Sequence, residues 1–377
     1  MNKNRRDFIK AGTLGAAALA AGSAVRAEDE SSPRRQSKSV NILVLGGTGF
    51  IGPHMVGEAL RRNHSVTLFN RGRTNNELFP DLETIKGDRD GVLDGLKGRH
   101  WDAVIDNSGY VPRHVRDSAR LLAGNTGLYL YISTISTYAS FVSPNDEDSP
   151  LATIDDETIE EVTGQTYGPL KALCEKRARE EIGDDRLAIL RPTYICGPGD
   201  HTDRFSYWPV RTAQGGEMIW PGGPSYPAQI IDVRDLANFT VDCVEENITG
   251  IYNTVTPVGS YTFGDLLDES QAVTGSSVNP LWVDEAFIET AQANSTVRNW
   301  GLFPIWHPLT GDSAAMSSIS GARARDAGLR NRPVRETIRD LMRWWTTLPE
   351  GRTATPRAGM SAEGEAELIA LWKKENA

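Results

Sequence analysis

Tyr167 and Lys171 are the residues whose types and spacing point most directly to chemistry. They lie four positions apart in the segment Tyr-Gly-Pro-Leu-Lys, so a helix would place the phenol and the ammonium on one face. A free phenol has a pKa of about 10 and is mostly protonated at neutral pH. Lowering that pKa by about 3 units requires about 4 kcal/mol of preferential anion stabilisation. We therefore predict that Tyr167 is a base for a hydroxyl proton and that Lys171 helps to stabilise its anion.

A hydroxyl-rich segment lies upstream of this pair. The apolar run 128–132 predicts a buried strand, and Ser-Thr-Ile-Ser-Thr-Tyr follows it at 133–138. Sheets of parallel strands bind ligands beyond the carboxyl ends of their strands. A hydroxyl at this position can donate to a substrate oxygen as negative charge develops on it. Ser133, Thr134 and Ser136 are the candidates for that hydroxyl.

A glycine-rich loop near the start of the chain predicts a dinucleotide site. The strand-like run 41–45 leads directly into Gly-Gly-Thr-Gly-Phe-Ile-Gly, and a helix pattern begins at Pro53. A diphosphate can approach a helix N-terminus closely only where no side chain projects from the turn. Phe50 and Ile51 have a second interpretation, as side chains that pack into the core. The predicted cofactor-binding residues of this loop are Gly46, Thr48, Gly49, Phe50, Ile51 and Gly52.

The end of the second predicted strand bears on the choice between NAD and NADP. Asn70-Arg71-Gly72-Arg73 stands where a carboxylate would ordinarily accept the adenosine ribose hydroxyls. Arg71 and Arg73 could instead hold a 2′-phosphate, which favours NADP slightly. The alternative makes both arginines surface residues and leaves NAD bound through Asn70. Asp88, after the third strand, is predicted to meet the adenine amino group.

The alternation of strand and helix patterns predicts an α/β fold, with a Rossmann-like, doubly wound parallel sheet and a smaller C-terminal substrate lobe. We assign 40–200 to the NAD(P)-binding domain, 201–345 to a mixed α/β substrate lobe and 346–377 to a tail with a helix. The Pro/Gly/Trp-rich stretch 207–227 is predicted to be loop-rich. One helix is expected after Pro333, and another is expected to begin at Ser361.

The N-terminus carries the features of an export signal. Arg5 and Arg6 are followed by Phe8 and Lys10, a mild Ala/Gly-rich run and a small-residue site before position 28. This pattern resembles a twin-arginine signal, which exports folded proteins across the bacterial inner membrane. We predict a signal peptide over 1–27, a linker over 28–39 and a periplasmic location, without a stable membrane anchor after the signal is removed.

Composition and charge exclude several classes of function. The chain of 377 residues has a net charge of −10, and 39% of its residues are hydrophobic. Residues 1–27 hold five basic residues against one acidic residue, so the remainder carries −14. Such a body should repel nucleic acid and anionic membranes. Three cysteines cannot build a disulfide framework, and no Cys/His cluster has the spacing of zinc ligands, so no metal is expected.

Over residues 40–345 the chain resembles the extended short-chain dehydrogenase/reductase superfamily, specifically its NAD-dependent epimerase/dehydratase branch. In that family the hydroxyl four residues before the tyrosine that closes the strand-end motif is catalytic, which implies Thr134 here. The resemblance further implies that Lys171 binds the nicotinamide ribose. It is carried by the glycine loop, the set Thr134, Tyr167 and Lys171, Arg191-Pro192 with Gly197-Pro198-Gly199-Asp200, and the segment 231–237.

Departures from the family pattern restrict the reaction. Ile135-Ser136 replaces the Asp-Glu pair of sugar-nucleotide dehydratases, which disfavours dehydration. Tyr194 replaces an asparagine of many nucleotide-sugar epimerases, which disfavours recognition of a uridine diphosphate group. Ser108-Gly109 replaces the alanine pair after the fourth strand. With Asp106, Asn107 and Tyr110 it could form a polar substrate pocket, or Asp106 could only cap the next helix.

These features predict an NAD(P)-dependent oxidoreductase or epimerase that acts on a secondary hydroxyl of a sugar-like molecule and keeps its cofactor tightly bound. Free cofactor is not expected outside the inner membrane, which favours a redox-neutral cycle. A reductase of a small ketone and a non-catalytic cofactor- or RNA-binding protein are the alternatives. A homodimer is expected because relatives often dimerise through the Tyr/Lys helix. Cofactor contact is also predicted for Ser108, and substrate contact for Ser136, Tyr194, His201 and Arg204.

Overall fold

The computed structural model describes residues 38–295, 303–354 and 356–376. The predicted signal peptide and nearly all of the predicted linker lie outside these residues. The strands, in chain order, are β1 Asn41–Leu45, β2 Ser65–Asn70, β3 Thr84–Lys86, β4 Trp101–Asp106, β5 Thr126–Ile132, β6 Leu187–Pro192, β7 Tyr194–Cys196, β8 Gly216–Pro221, β9 Ile230–Asp232, β10 Gly250–Thr254 and β11 Val278–Val283.

Seven of the strands form one parallel sheet in the order β3-β2-β1-β4-β5-β6-β10. Strand β1 therefore lies in the interior of the sheet. Strands β2 and β3 extend the sheet on one side of β1, and β4, β5, β6 and β10 extend it on the other side. This order is that of a Rossmann-like, doubly wound fold, which confirms the predicted fold class. Leu45 pairs with Asp106 across β1 and β4, so the carboxyl ends of these two strands lie side by side.

Helices cover both faces of this sheet. The helices of the described residues, in chain order, are α1 Gly52–Arg61, α2 Pro112–Leu122, α3 Tyr167–Ile182, α4 Tyr207–Thr212, α5 Val233–Glu246, α6 Phe263–Thr274, α7 Glu285–Asn294, α8 Ala322–Asp326, α9 Val334–Trp345, α10 Glu350–Thr353 and α11 Ala362–Glu375, of which α1, α2, α3 and α5 pack on the sheet. Alternate residues of β1 show the two layers, because side chains of a strand point to opposite faces. Ile42 and Val44 pack in a core with α1 and α5, whereas Leu43 and Leu45 pack in a core with α2 and α3.

A further hydrophobic core, separate from the two on the faces of the central sheet, lies in the C-terminal part of the chain. It contains Trp208, Trp220 and Phe263, which contact one another in a fully buried aromatic cluster. Strand β8 pairs with β11, and β7 pairs with β9. Helix α4 and strand β8 occupy much of the stretch that the sequence predicted to be loop-rich, because Trp208 and Trp220 pack into this core. The two helices predicted after Pro333 and at Ser361 are α9 and α11.

The predicted boundary at residue 200 needs a correction. Helix α5 packs against α1, and β10 pairs with β6 at the edge of the central sheet. The chain therefore leaves the sheet after β6 and returns to it, so residues 233–254 belong to the central sheet and its helical layer rather than to the predicted C-terminal lobe. Among the described helices none is long and apolar enough to span a membrane.

Candidate functional site

The glycine loop between β1 and α1 has two kinds of glycine. A Cβ at Gly46 would lie 2.3 Å from the Asn107 Oδ1 atom, and a Cβ at Gly52 would lie 2.5 Å from the Gly47 backbone. Gly46 and Gly47 also have φ values of 112° and 94°, which side chains rarely tolerate. A Cβ at Gly49, by contrast, would meet nothing within 4 Å. The turn itself requires the other three glycines, whereas Gly49 keeps the main chain open to a ligand.

A cavity of about 300 Å³ lies over this loop at the carboxyl ends of the strands. Phe50 and Gly52 do not line it, and Ile51 lines a neighbouring cavity instead. Phe50 contacts the rings of His54 and His201 edge-on. The predicted cofactor residues that do line the cavity are Gly46, Thr48, Gly49, Asn70, Arg71, Arg73, Asp88 and Ser108.

The end of β2 gives this cavity a positive wall. The Asn70 Oδ1 atom accepts a hydrogen bond of 2.8 Å from the Gly72 backbone, which fixes the turn. Arg71 and Arg73 are exposed, and no carboxylate among the described residues pairs with either of them. Both guanidinium groups therefore remain available to an anion.

A buried ion pair lies beneath the cavity. Arg89 donates to both carboxylate oxygens of Asp106, at 2.5 and 2.7 Å, and the Tyr129 hydroxyl donates to the same carboxylate at 2.7 Å. Asp106 is fully buried and α2 begins after Val111, so the polar-pocket and helix-cap interpretations of Asp106 are both wrong. Arg89 is one of the residues that line the cavity, and its Nε atom is buried without a hydrogen-bond partner among the described residues.

A second cavity, of about 260 Å³, contains the predicted catalytic set. Thr134, Tyr167 and Lys171 all line it. Tyr110 lines both this cavity and the one over the glycine loop, so the two cavities are neighbours. Residues from the ends of β5 and α3, which are distant in sequence, are thereby brought together.

A missing side chain lets α3 approach the end of β5. Helix α3 begins at Tyr167, and a Cβ at Gly168 would lie only 2.2 Å from the Ser136 carbonyl oxygen. The Thr134 hydroxyl accepts a hydrogen bond of 3.2 Å from the Ser136 backbone N–H and so fixes the turn on which α3 rests. The absence of a side chain at Gly168 thus allows the start of α3, with Tyr167, to pack against the turn that holds Thr134.

Lys171 lies almost completely buried at the base of this cavity, with 3% of its surface exposed. Its Nζ atom donates to the carbonyl oxygens of Gly109 and Ile132, at 2.8 and 2.7 Å, and lies 4.2 Å from the centroid of the Tyr131 ring. An ammonium has three N–H groups, so one is left to a ligand. Burial lowers the pKa of Lys171 to about 8.

The pKa of Tyr167 in the chain without a cofactor is shifted upward, whereas the predicted downward shift depends on Lys171 and an oxidised nicotinamide together. Burial raises the pKa of its phenol above the ordinary value, and the nearby Tyr110 phenol raises it further. The Thr134 side chain and the Arg204 guanidinium lower that pKa, whereas Lys171 is not among the main influences on it. The chain alone therefore does not produce the predicted downward shift, because burial outweighs the stabilising groups.

Ser133, one of the three candidate hydroxyls, is committed elsewhere. Its Oγ atom donates to the Glu175 carboxylate at 2.5 Å. Arg191 forms a bidentate ion pair with the same carboxylate, at 3.0 and 2.6 Å, and both partners are buried. Thr134 and Ser136 both line the cavity, where the Thr134 hydroxyl donates to the Ser136 hydroxyl at 3.3 Å. Sequence reasoning missed Glu175, since its only signal is a lone acid on the apolar side of α3.

The predicted substrate residues separate into two groups. Ser136, Tyr194 and Arg204 line the catalytic cavity, whereas His201 lines neither this cavity nor the one over the glycine loop. The Tyr194 hydroxyl bonds the Nε2 atom of His307 at 2.7 Å, and the two rings stack with centroids 5.8 Å apart. Burial lowers the pKa of His307 to about 4. His307 was not predicted, because it is far from Tyr194 in sequence.

Among the described parts of the chain, no group of three or more His, Cys, Asp or Glu residues is arranged to hold a metal ion. Cys174, Cys196 and Cys243 are buried free thiols. The candidate site consists of a glycine loop whose main chain is open at Gly49 and a neighbouring cavity lined by a phenol, a hydroxyl and an ammonium.

Comparison with known proteins gives relatives of low identity. The chloroplast stem-loop binding protein of 41 kDa b of Arabidopsis thaliana is 25% identical over 218 residues, covering 53% of this chain and 54% of that protein. The chain thus spans about half the length of that relative. The bovine (Bos taurus) epimerase family protein SDR39U1 is 27% identical over 238 residues, covering 59% of this chain and 76% of that protein.

Solved structures share the fold. The human epimerase family protein SDR39U1, solved with NADPH, has a TM-score of 0.54 and 19% identity, covering 80% of this chain and 99% of the human one. The Bordetella bronchiseptica enzyme WbmH, solved with NAD+, has a TM-score of 0.59 and 16% identity, covering 82% of this chain and 99% of that one. The sequence model of the NAD dependent epimerase/dehydratase family matches residues 42–254, more than half of the chain. The chain belongs to this family.

Proposed function

We propose that this protein is an NAD(P)-dependent oxidoreductase or epimerase that acts on a secondary hydroxyl of a sugar-like molecule. One observation carries the proposal. Thr134, Tyr167 and Lys171 line a single cavity, and Tyr110 lines both this cavity and the one over the glycine loop. A substrate hydroxyl and a dinucleotide can therefore occupy adjoining spaces.

The residues around the glycine loop fit a dinucleotide. A Cβ at Gly49 would point into open space, which leaves the main chain accessible to a diphosphate at the start of α1. Arg89 presents a buried N–H group without a partner in the described structure. We propose NADP as the preferred form because Arg71 and Arg73, at the end of β2, have no carboxylate partner in the part of the chain that the structure describes. NAD bound through Asn70 is the alternative.

The proposed mechanism assigns one task to each side chain. A bound nicotinamide dinucleotide would supply a centre that accepts and returns hydride. Thr134 would donate a hydrogen bond to the substrate oxygen, and Tyr167 would take the hydroxyl proton. The third N–H of Lys171 would hold the ribose and bring a positive charge close to the phenol. Because burial raises the pKa of Tyr167 in the chain alone, the charge of the bound cofactor is needed to favour its phenolate.

The lining of the catalytic cavity supports an oxidoreduction or an epimerisation rather than a dehydration. Eliminating water requires an acid near the leaving hydroxyl, and no aspartate or glutamate lines this cavity among the described residues. Ile135 and Ser136 occupy the positions of the Asp-Glu pair of sugar-nucleotide dehydratases. A transient ketone that is reduced again in the same cavity would complete a redox-neutral epimerisation.

Twin-arginine export to the periplasm remains part of the proposal. A protein exported in its folded state can carry its cofactor with it, and a trapped cofactor must be regenerated in place. Export is tested by following processing of the precursor in bacteria, with Arg5 and Arg6 both replaced by lysine. Loss of the processed periplasmic form in that variant is expected, and unchanged processing would contradict the assignment.

Dimerisation through α3 also remains a prediction. The outer side of α3 carries charged groups, including ion pairs from Arg177 to Glu157 and from Arg120 to Glu181, each at 2.6 Å. An interface there would have to be polar. Analytical ultracentrifugation at several concentrations measures the mass directly, and a monomer at all concentrations would contradict the prediction.

The name of the chloroplast relative supports a second candidate, an RNA-binding role. The net charge of −10 opposes it, because phosphate backbones are bound mainly by basic surfaces. Titration of the purified protein with a labelled RNA stem-loop at physiological salt separates the two candidates. Micromolar binding would favour the RNA-binding role, and its absence would favour the enzyme.

The nucleotide content of the purified protein tests the main proposal. The chain is denatured, the released nucleotide is identified by mass, and the native protein is screened with sugars for a change in reduced-cofactor absorbance. About one dinucleotide per chain is expected, and Tyr167→Phe should retain it while losing the absorbance change by a factor of about 100 or more. Protein that is isolated empty and binds dinucleotide weakly, or full turnover by Tyr167→Phe, would contradict the proposal.

A further inference from the structure

The Lys171 ammonium is buried without an ion-pair partner. No aspartate or glutamate in the described part of the chain forms a salt bridge with it. Burial lowers the pKa of this group, and the acids Asp106 and Glu175 raise it from nearby. Each of these acids is already held in an ion pair, by Arg89 and by Arg191. A buried charge is costly unless neighbouring groups compensate for the lost water, so other groups have to stabilise this cation.

Two tyrosine rings lie against the ammonium. The Nζ atom lies 4.2 Å from the centroid of the Tyr131 ring and 5.3 Å from that of the Tyr110 ring. Both distances are within the roughly 6 Å over which the negative face of an aromatic ring attracts a cation. The carbonyl oxygens of Gly109 and Ile132 accept two of its N–H groups. The two rings and the two carbonyls, which we call the lysine cage, thus present partial negative charge to Lys171.

Gly109 makes room for one wall of the lysine cage. A Cβ at this position would lie 2.8 Å from the Cε2 atom of Tyr131 and 2.6 Å from the Cγ2 atom of Val115. The Tyr131 hydroxyl donates to the Gly109 carbonyl oxygen at 2.7 Å, and the same oxygen accepts from Lys171. The glycine that replaces an alanine of the family pattern therefore allows the Tyr131 ring to approach the ammonium.

Tyr110 forms the other wall and is the more accessible of the two tyrosines. It is 48% exposed, whereas Tyr131 is fully buried. Its ring lines the catalytic cavity, and the centroid lies 6.4 Å from that of the Tyr167 ring. A ring that stays half-exposed contributes little to stability through burial. Its position beside the ammonium and the phenol therefore indicates a role in the site, and replacing it leaves the buried core intact.

The other titratable and charged groups around Lys171 come from α3, β4, β5 and the loop after β3. They are Tyr167, Cys174 and Glu175 of α3, Asp106 of β4, Tyr131 of β5 and Arg89 of the loop. Burial and the Arg89 cation lower the pKa of Lys171, whereas the thiol and the two acids raise it. Within the described structure Tyr110 has no hydrogen bond to any of these groups. A change at Tyr110 that moves the Lys171 titration therefore reports on the ring itself.

We propose that the Tyr110 ring, together with that of Tyr131, keeps Lys171 charged inside the protein. Tyr110 is thus a positioning residue, because it acts through the ammonium and not on the substrate. The inference rests on the proposed function only in giving the charge a purpose, which is to hold the ribose and to place a cation near the phenol. The lysine cage itself is formed by the chain alone.

Titration of Lys171 by NMR tests the inference on the full chain, with the nucleotide content matched between preparations. The nine lysines are labelled with ¹³C at Cε, and the Lys171 signal is the one that is missing in Lys171→Met. Tyr110→Leu removes the ring, whereas the matched control Tyr110→Phe keeps the ring and removes only the hydroxyl. Because the charged form loses the ring, Lys171 should titrate about 0.5–1 pH unit lower in Tyr110→Leu than in the wild type. In Tyr110→Phe it should titrate as in the wild type.

Two outcomes would overturn the inference. One is a Lys171 titration in Tyr110→Leu that equals that of the wild type, and the other is an equal shift in Tyr110→Phe, which would assign the effect to the hydroxyl. Circular dichroism establishes that the variants are folded, and Tyr110→Met, with the same expected shift, replaces the leucine variant if that one is not.

The pH profile of turnover tests the purpose of the charge separately. In Tyr110→Leu the alkaline limb should move to lower pH by the same interval as the NMR titration, and Tyr110→Phe should keep the wild-type limb. A chain whose Lys171 titrates as expected but that transfers no hydride refutes the proposed activity alone. A chain that transfers hydride and whose Lys171 is unaffected by Tyr110→Leu refutes the lysine cage alone.

Discussion

Replacement of Gly168 by alanine tests the link between helix packing and chemistry. The added Cβ would lie 2.2 Å from the Ser136 carbonyl oxygen, whereas ordinary C···O contacts are about 3.3 Å, so α3 must move by about 1 Å. Tyr167 moves with it, because this residue begins the helix. A displacement of about 1 Å can reduce the rate by about 100-fold, and the strained contact should cost about 1–3 kcal/mol of unfolding free energy.

Two quantities are measured for Gly168→Ala and for the control Gly57→Ala. They are the turnover of the sugar found in the absorbance screen and the free energy of unfolding in urea. Gly57 lies in α1, where an added Cβ meets nothing within 4 Å, so alanine there should stabilise the chain by about 0.4–1 kcal/mol and leave turnover unchanged. Both variants should retain the dinucleotide. Wild-type turnover and stability in Gly168→Ala would refute the reasoning that this contact positions Tyr167.

Three further predictions follow from the charges of the site. Replacing both Arg71 and Arg73 with alanine should weaken NADP binding by about 10-fold or more and leave NAD binding unchanged, as measured by calorimetry; equal effects on both would contradict the NADP assignment. In cofactor-free protein Lys171 has a pKa of about 8 in the folded chain and the ordinary 10.5 in the unfolded chain, so between these two pH values the folded chain binds fewer protons. The free energy of unfolding, measured with urea and compared with Lys171→Met, should therefore rise over that pH range. A flat profile would contradict the burial of a charged amine. Glu175→Gln should cost about 3–5 kcal/mol in the same assay because it leaves the buried Arg191 cation unpaired, and a loss below about 1 kcal/mol would show that the pair is not needed.

Much of the nucleotide-binding half follows from local sequence. The glycine loop, β1 and α1 are predicted closely because an apolar run, glycines and a proline occur in immediate succession. Tyr167 and Lys171 are recognisable as a pair because both lie on one helix, whose period fixes their spacing. In both cases residues that are close in sequence determine the local backbone geometry, so the structure can be predicted without knowing distant contacts.

The remaining features depend on contacts between distant residues. Asp106 was expected to line a pocket or cap a helix, but its partner is Arg89 on a different loop. Asp203 and Arg357 are 154 positions apart, and no local pattern announces their contact. The pairing of β10 with the central sheet was not predicted, because a short strand at the sheet edge has no distinctive sequence pattern of its own.

A crystal structure of the chain grown with NADP tests the central claim most directly. We expect the diphosphate to lie against the main chain at Gly49. We expect the nicotinamide ring to lie in the catalytic cavity, beside the Tyr167 hydroxyl and the Lys171 ammonium. A nicotinamide ring outside that cavity, or a dinucleotide bound elsewhere on the chain, would contradict it.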